Sequence, residues 1–519
     1  MPNPDLILHG GRIYPRVDRQ DAFQAVAVWK GRVADIGSDR DILRLKGTSV
    51  ETVDLLGRVV IPGLSDSHIH LLGYGMLLRT LDLSGARSIP EIQQAVAAAS
   101  EKKEEGGWIV GRGWDQEKLR EHRYLNRDDF STVRRPVFLR RICGHIGVAN
   151  AQALSMAGIT KTTSAPAGGL VELDSSTGEP SGVLKERAQE LVLDSIPVSE
   201  DEVELALSSA AKRLLRVGLT SLHCIVESVL ELKVLRRLKN LGKIRQSIYA
   251  ILPLGLLDGA VGLGMGTEVG LGGFRIGGVK IFLDGSLGAR TAALSEPYSD
   301  DPSAGMLTME RGELDRAVEK AVSSGFQLSI HAIGDRAVEE AVDAIERARH
   351  VWNGRELRHR IEHSSLAPPK LVSRLRRNRI VASVQPSFIP SDSWAVKRLG
   401  SRRVQYLYPF RSMIRAGIPL AAGSDCPVED PNPFRGVWSA VARPGLGPSE
   451  RLQVGEALAS YTTASCFASF SEEYRGTLEP GMLADMVVLD RDPFRCSVDD
   501  LRKIKVLETL VGGKRAFTG

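Results

Sequence analysis

Short apolar runs separated by glycine-containing turns occupy both ends of the 519-residue chain. The first sixty or so residues include DLILHGGRIY, AFQAVAVWKGRVADIG and TVDLLGRVVIPG, and the far end carries GMLADMVVLDRDPF and IKVLETLVGGKRAFTG. Apolar alternation bounded by glycines is typical of short β-strands. The two ends therefore predict one small β-sandwich domain, built from residues 1–62 and 472–519.

Between the two ends, strand-like apolar runs alternate with amphipathic, helix-like segments. This alternation predicts parallel strands joined by crossover helices. We expect a (β/α)8 TIM-like barrel over residues 63–471 rather than a doubly wound open sheet, because polar residues lie at several strand ends, which converge on one face of a barrel. Residues 75–215 exceed what the first barrel units need and predict an insertion after the first barrel strand. The candidate strands are PVFLRRI (136–142), LTSLHCI (219–225), GGVKIFL (277–283), FQLSIHAI (326–333), RHRIEH (358–363), RIVASVQP (379–386) and IPLAAGSD (418–425).

Composition and charge exclude several classes of protein. The net charge of +5 comes from 68 basic and 63 acidic residues spread along the chain, so no nucleic-acid partner is expected. The N-terminus lacks a signal-peptide pattern, and the weakly polar segment 251–266 contains an aspartate and five glycines, so no membrane partner is expected. The five cysteines form no CxxC pair, which favours reduced thiols and a cytoplasmic location.

Histidines cluster at the predicted strand ends. His68 and His70 follow the apolar run VVIPGL, and their spacing of two places both imidazoles on one side of a strand. His331, His363 and Asp425 each lie near the tip of a later strand. Imidazole and carboxylate groups are metal ligands, and core packing does not readily explain so many of them at separate strand ends. The pattern predicts a metal site.

Lys280 lies in the middle of the apolar segment GGVKIFLDG, on the same face as Gly278 and Phe282. A buried ammonium group without a partner costs many kcal/mol, so it must be neutralised, paired or chemically altered. A salt bridge to Asp284 or Asp425 is one solution. Reaction of the neutral amine with CO2 is another, and it gives a carbamate whose two oxygens can bridge two metal ions.

The order of these residues resembles the amidohydrolase superfamily, whose members are metal-dependent hydrolases on a distorted (β/α)8 barrel. Six longer motifs, in this order, are similar to the amidohydrolase 3 family, which includes N-substituted formamide deformylase-like proteins. The similarity extends from about residue 5 to the C-terminus. The motifs are GWIVGRGWD (107–115), RRICGHIGVAN (140–150), GGVKIFLDGSLGARTA (277–292), HAIGDRAV (331–338), RIEH (360–363) and GSDCPVEDPNPFRG (423–436).

The resemblance implies two divalent metal ions and assigns ligands by position. One ion would be held by His68, His70 and Asp425, and the second by His331 and His363. Lys280, carboxylated by CO2, would bridge them. Nitrogen and oxygen ligands without thiolates favour Zn²⁺, with Mn²⁺, Fe²⁺ or Co²⁺ as alternatives. The family also suggests a homodimer.

The implied reaction is hydrolysis of a non-peptide C–N bond in a small-molecule amide, N-formyl or cyclic amide substrate. A metal-activated hydroxide would attack the carbonyl carbon, with Asp425 as the proton shuttle. His145 could polarise the carbonyl oxygen, and a structural role is equally consistent with the sequence. Deamination or ester hydrolysis on the same barrel, and a non-catalytic scaffold that has lost its metals, are the competing hypotheses.

Four further residues are candidates for substrate binding. Trp114 and Asp115, in the motif GWD, could form an aromatic wall and a polar contact, although a buried tryptophan anchoring the insertion is an alternative. Asp284 and Arg290 follow the Lys280 strand, where a loop is expected to rim the pocket. Arg290 could instead form a structural ion pair.

Overall fold

The computed structural model forms two compact units. One unit combines Met1–Gly75 with Glu204–Gly519, and the other is Met76–Val203. The described residues are all except 1–3, 48, 102–106, 167–168, 353 and 355.

The N-terminal segment is made of short strands. The strands β1, β3, β4 and β5 form a four-stranded sheet in the order β4-β3-β1-β5, in which β1 is antiparallel to β3 and parallel to β5. Ser38 caps the helix that follows β4, because its side chain accepts a hydrogen bond from the backbone N–H of Asp41. The elements are β1 (Leu6–His9), β2 (Arg12–Ile13), β3 (Ala25–Trp29), β4 (Arg32–Gly37), α1 (Asp39–Leu43), β5 (Glu51–Asp54) and β6 (Val59–Pro62).

The first barrel strand precedes the second unit. This strand, β7 (Leu64–Ile69), is buried along its whole length and leads into α2 (Leu71–Leu78). The unit Met76–Val203 contains a six-stranded sheet in the order β12-β13-β11-β10-β9-β8, with its own apolar core around Trp114 and Phe130. It corresponds to the insertion predicted after the first barrel strand. Its elements are β8 (Leu81–Asp82), α3 (Ile89–Glu101), β9 (Ile109–Trp114), β10 (Val137–Arg141), β11 (Ile146–Ala149), α4 (Ala151–Met156), β12 (Gly169–Leu173), β13 (Pro180–Glu186) and α5 (Glu190–Leu193).

Seven further parallel strands complete an eight-stranded sheet that curves into a nearly closed barrel. The order is β20-β19-β18-β17-β16-β15-β14-β7, and every paired neighbour is parallel. The strands are β14 (Leu219–Ile225), β15 (Ser247–Pro253), β16 (Phe274–Phe282), β17 (Gln327–Ala332), β18 (Arg360–His363), β19 (Val381–Val384) and β20 (Leu420–Ala422).

Helices connect the barrel strands. In the helix Asp335–Arg347, the apolar residues Ala337, Val338, Ala341 and Val342 recur at helical spacing and are buried. The helices are α6 (Glu200–Leu215), α7 (Val229–Asn240), α8 (Leu257–Gly262), α9 (Arg311–Ser323), α10 (Asp335–Arg347), α11 (Pro369–Arg377), α12 (Phe388–Ser391), α13 (Ala395–Arg403), α14 (Phe410–Arg415), α15 (Pro433–Ala442), α16 (Val454–Ser460), α17 (Thr463–Ala468) and α18 (Val498–Leu501).

The C-terminal strands return to the beginning of the chain. These strands are β21 (Met486–Leu489), β22 (Val506–Val511) and β23 (Lys514–Thr518). Together with β2 and β6 they form a five-stranded sheet in the order β2-β6-β21-β22-β23. Its side chains share one core with those of the N-terminal sheet, including Leu8, Val26, Val60, Met486 and Leu510.

The predicted fold class, a (β/α)8 barrel with a β-sandwich built from both termini, is confirmed. Two strands differ from the prediction in detail. The run PVFLRRI does form a strand, β10, but it lies in the sheet of the second unit. The barrel strand β15 was not predicted, because its apolar residues merge with the apolar stretch that follows it. Within the described residues, no helix has the length and apolar character needed to cross a membrane.

Candidate metal centre

The carboxyl ends of the barrel strands bring three predicted ligands together. His68 lies in β7, His363 ends β18, and Asp425 lies three residues beyond β20. One potential ligand atom from each side chain lies within 4.8 Å of the other two. The backbone N–H of Asp425 donates to the carbonyl oxygen of His68 at 2.8 Å, which ties the last barrel strand to the first. All three residues are buried.

His70 and Lys280 extend this cluster. The Nε2 atom of His70 lies 3.3 Å from Oδ1 of Asp425, and the same oxygen lies 3.3 Å from Nε2 of His68. Lys280 is only 2% exposed, and its Nζ lies 3.4 Å from Nε2 of His68. Among the described residues, no carboxylate oxygen lies within 4.0 Å of this Nζ. The salt bridge to Asp284 or Asp425, considered from the sequence, is therefore not formed.

His331 is the sixth predicted ligand, and its ring centroid lies 4.4 Å from that of His363. Its Nε2 faces the carbonyl oxygen of Gly285 at 3.1 Å. A carbonyl oxygen can only accept, so Nε2 carries the proton and Nδ1 keeps the lone pair. The structure thus places all six predicted ligands in one cluster at the carboxyl end of the barrel, and their metal-binding role stays a prediction.

Hydrogen bonds on the outer side of three other rings determine which nitrogen faces the cluster. A carboxylate or amide oxygen accepts from the ring N–H, so the opposite nitrogen presents its lone pair, as in many metal sites. Nε2 is therefore the available ligand atom in each case. The Nδ1–H groups donate from His68 to Glu362 at 2.6 Å, from His363 to Gln385 at 2.7 Å, and from His70 to Glu227 at 3.0 Å.

The protonation states fit a divalent cation. Burial and the charge of Lys280 lower the pKa of His68 to about 4, and burial lowers the pKa of His363 well below its usual value. Burial alone would raise the pKa of Asp425, but the surrounding imidazoles hold it below its usual range. Neutral imidazoles and an ionised carboxylate, without thiolates, are a donor set suited to Zn²⁺ and similar ions.

His70 differs from its neighbours. Burial opposes its protonation, but its hydrogen bonds to Asp425 and Glu227 outweigh this effect and raise the pKa of His70 to about 9. Without an ion, the Nε2 proton of His70 bridges to Asp425. A cation bound at Nε2 would replace that proton and keep the attraction to the carboxylate.

A buried charged network supports His68 from behind. Glu362 and Arg360, both fully buried, form an ion pair at 2.9 Å. Arg360 also donates to the carbonyl oxygen of Ser67 at 2.6 Å and approaches Nδ1 of His223 at 3.0 Å. Sequence reasoning missed this network, although the motif RIEH contains both charged residues. Two opposite charges in a strand of four buried residues were the signal that could have revealed it.

Asp66 was also missed, and it fixes the junction between the first and last barrel strands. Its carboxylate accepts from the backbone N–H groups of His68 and Ser424 and from the Ser424 hydroxyl. Burial raises the pKa of Asp66 to about 7. The residue holds the backbone of β7 next to the segment that carries Asp425.

Asp284 and Arg290 have structural contacts. Asp284 is buried and accepts from the backbone N–H groups of Ala293, Ile333 and Gly334, so it joins the loops that follow β16 and β17. Arg290 forms an ion pair with Asp300 at 2.9 Å, which is the alternative considered from the sequence. Substrate binding by either residue stays a prediction.

The remaining candidates lie in the unit Met76–Val203 and are described within it. Trp114 is fully buried and donates its indole N–H to the carbonyl oxygen of Leu139 at 3.0 Å. Asp115 pairs with Arg141 at 2.7 Å. These contacts anchor the core of that unit, and a substrate-binding role for either residue stays a prediction.

His145 lies in the same unit and is exposed. Its Nδ1 pairs with the carboxylate of Glu186, which is also exposed, at 2.9 Å. Polarisation of a carbonyl by His145 stays a prediction.

Comparison with known proteins agrees with this geometry. Residues 51–517 match the profile of the Amidohydrolase family. The chain is 35% identical to YtcJ of Bacillus subtilis (strain 168), described as an amidohydrolase, over 98% of this chain and 99% of that protein. It is 28% identical to N-substituted formamide deformylase of Arthrobacter pascens, over 98% and 97% of the two chains.

A solved structure shares the fold. The crystal structure of an uncharacterized metal-dependent hydrolase from Pyrococcus furiosus superimposes with a TM-score of 0.83 at 34% identity, covering 94% of this chain and all of that one. The family profile covers most of the sequence, and YtcJ is more than 30% identical over nearly the full length of both chains. The chain belongs to the amidohydrolase family of metal-dependent hydrolases.

Proposed function

We propose that this protein hydrolyses a non-peptide C–N bond in a small-molecule substrate, an amide, an N-formyl compound or a cyclic amide. The observation that carries the proposal is the buried cluster at the barrel's carboxyl end, where atoms of His68, His363 and Asp425 lie within 4.8 Å of one another. The similarity to a formamide deformylase supports the choice of bond.

Six side chains would hold two divalent ions, and Zn²⁺ is the ion that this donor set favours. His68, His70 and Asp425 would hold one ion, and His331 and His363 the other. When bound, such ions polarise a carbonyl group and lower the pKa of water. The ring tautomers support this assignment, because His68, His331 and His363 each keep one lone pair that no outer hydrogen bond uses, and a cation would replace the Nε2 proton of His70.

Lys280 would join the two ions as a carbamate. Its amine reacts with CO2 to form an N–C bond and releases one proton, which gives a carboxylate on the side chain. Burial lowers the pKa of Lys280 to about 8, so neutral amine is accessible near neutral pH. The absence of a carboxylate within 4.0 Å of Nζ among the described residues also supports the reaction, since the ammonium form has no acidic partner there.

Asp425 would move the proton. It is ionised, buried, and within 3.3 Å of two imidazole nitrogens, so it is held in one orientation. In hydrolysis it accepts a proton from the attacking water and donates it to the departing nitrogen. The buried surroundings keep bulk water from competing for that proton.

Metal analysis and a substrate screen test the proposal together. Purified protein should contain about two equivalents of divalent ion. The metal-loaded protein should release amine from N-formyl, N-acyl or cyclic amides, whereas aminated heterocycles and carboxylic or phosphate esters should react more slowly. Metal-free protein, or hydrolysis confined to esters or to deamination, would contradict the proposal.

A further inference from the structure

A polar cavity lies at the opposite end of the barrel from the metal centre. This base cavity has a volume of about 530 Å³ and opens between the amino ends of β14, β15 and β16 and the segments 469–475 and 270–273. We propose that the base cavity binds a phosphate group, carried by inorganic phosphate or by a phosphate ester, and that this site is separate from the hydrolase site.

Charge is the first observation behind this proposal. The cavity is lined by three arginines and one glutamate. Arg275 pairs with Glu268 at 3.3 Å, and Arg475 pairs with Asp485, which lies beside the cavity, at 3.2 Å. Each of these ion pairs is neutral, so Arg275 and Arg475 contribute no net positive charge to the cavity.

The third arginine and a nearby lysine have no acidic partner. Arg32 donates to the carbonyl oxygen of Gly481 at 2.7 Å, and Lys239 donates to that of Arg245 at 2.9 Å. The Nζ of Lys239 lies 3.3 Å from the position that a β-carbon on Gly273 would occupy, at the cavity wall. In the part of the chain that the structure describes, no carboxylate lies within 4.0 Å of either cation. The site therefore carries an excess of two positive charges.

Unused hydroxyl donors are the second observation. Ser221 and Ser247 are register partners on β14 and β15, and both line the cavity. Ser221 is only 5% exposed, yet neither hydroxyl has a hydrogen-bond partner among the described residues. Ser247 is half-buried, and both hydroxyls remain open to the cavity, so they are free to bond to a polar molecule bound there.

Free backbone amides are the third observation. The loop 270–273 (Gly-Leu-Gly-Gly) borders the cavity, and within the described chain none of its four N–H groups has a protein acceptor. Gly270, Gly272 and Gly273 have positive φ angles of 150°, 63° and 81°. The four residues are exposed, so their amides are open to solvent and free to donate to an anion bound at the mouth of the cavity.

These features fit phosphate better than a carboxylate. An excess of two positive charges matches a phosphate dianion, and the donors outnumber what two carboxylate oxygens can accept. A phosphate group offers three strong acceptor oxygens and forms short charge-assisted hydrogen bonds. The predicted metal ligands all lie at the other end of the barrel, so the anion would bind away from the hydrolase chemistry.

Calorimetric titration of the full-length, metal-loaded protein tests the site. Inorganic phosphate should bind wild type with a dissociation constant of about 1 mM or below. S247E, which places a carboxylate in the cavity, should weaken binding at least about tenfold. R32A should weaken it several-fold without changing the melting temperature, because Arg32 is exposed. R40A, which removes an exposed arginine outside the cavity, should bind like wild type.

Two further titrations distinguish inorganic phosphate from a phosphate ester as the ligand, and distinguish the base cavity from the metal centre as the binding site. Glycerol phosphate in place of inorganic phosphate shows whether the site prefers an ester, and tighter binding of either ligand supports the shared chemistry. Titration after removal of the metals should leave the base-cavity signal in place. The proposal is overturned if wild type binds neither ligand, if S247E and R32A bind as wild type does, or if the signal disappears with the metals.

Discussion

At His68, one imidazole ring connects the buried support network to the cluster of predicted ligands. Its Nδ1 donates to Glu362 at 2.6 Å, and its Nε2 faces Asp425 at 3.3 Å and Lys280 at 3.4 Å. The outer hydrogen bond fixes the tautomer and the ring orientation, so the inner lone pair points toward the site of a cation without further rearrangement. The hydrogen bond to Glu362 therefore determines which nitrogen of His68 can serve as a metal ligand.

Replacement of Asp425 by asparagine tests the proton shuttle. D425N keeps the side-chain shape and an oxygen that can ligate, but the amide cannot accept and return a proton. We expect turnover to fall roughly 100-fold or more, on the scale of general acid–base groups. Initial rates on an amide substrate, with the metal content measured in parallel, provide the test. Near-normal turnover would remove Asp425 from this role.

Gln385 offers a test of ligand positioning that changes no charge. Its side-chain oxygen accepts the Nδ1–H of His363 at 2.7 Å. Q385L removes the acceptor at similar size, and we expect the affinity for the divalent ion to fall about 10- to 100-fold. Q385E keeps an acceptor for the Nδ1–H of His363, although it adds a negative charge, and serves as the control. Competition with a chelator measures both, and equal affinities for Q385L and wild type would show that the hydrogen bond does not position His363.

At the scale of elements, the closure of the barrel brings β7 and β20 together. Gly423 follows β20, and a β-carbon there would lie 2.5 Å from the backbone nitrogen of His68 and 2.8 Å from Oδ1 of Asp66. This is a close approach of one strand end to another, which only glycine permits. The same approach brings Asp425 to His68.

The substitution G423A should therefore damage both the fold and the centre. Overpacking at a buried contact typically costs about 1–3 kcal/mol, and here it would also push Asp425 away from His68. We expect a lower melting temperature and a reduced metal content. G262A is the matched control, because Gly262 lies in α8 with no atom near its β-carbon position. A melting temperature and metal content for G423A like those of G262A would contradict the closure argument.

At the scale of the whole molecule, the sandwich depends on both ends of the chain. The strand β21 pairs with β6 on one side and with β22 on the other. Leu510, in β22, is fully buried in the shared core. The hydroxyl of Thr509 donates to the carbonyl oxygen of Leu215 at 2.7 Å, which attaches this sheet to a barrel helix.

Removal of residues 504–519 should therefore destabilise the barrel as well as the sandwich. The deletion removes β22 and β23 and exposes the apolar side chains of β21 to water, at roughly 25 cal/mol for each Å² of apolar area exposed. We expect a lower melting temperature and faster proteolysis of the barrel. K514A, an exposed substitution in β23, serves as the control and should behave as wild type. An unchanged melting temperature of the deletion variant would show that the barrel is stable without these strands.

Several features could be predicted from local sequence because they depend on periodicity. The spacing of two between His68 and His70 predicts that both rings face one way where β7 ends, and the alternation of strands and helices indicates the barrel. Strand β15 escaped detection because it continues directly into another apolar stretch. The pairing of β6 with β21 was expected only in outline, since nothing in either segment specifies its register.

Sequence alone is enough to predict the alternation of strands and helices, the strand-end placement of five of the six ligands, and the burial of Lys280. These features follow from local backbone geometry and from the pattern of apolar residues. Tertiary packing, by contrast, determines that Glu362, Gln385 and Glu227 accept the outer ring protons, and that Lys280 has no acidic neighbour within 4.0 Å among the described residues. Such contacts join residues far apart in the chain, and their distances depend on how the closed barrel packs, which no local pattern encodes.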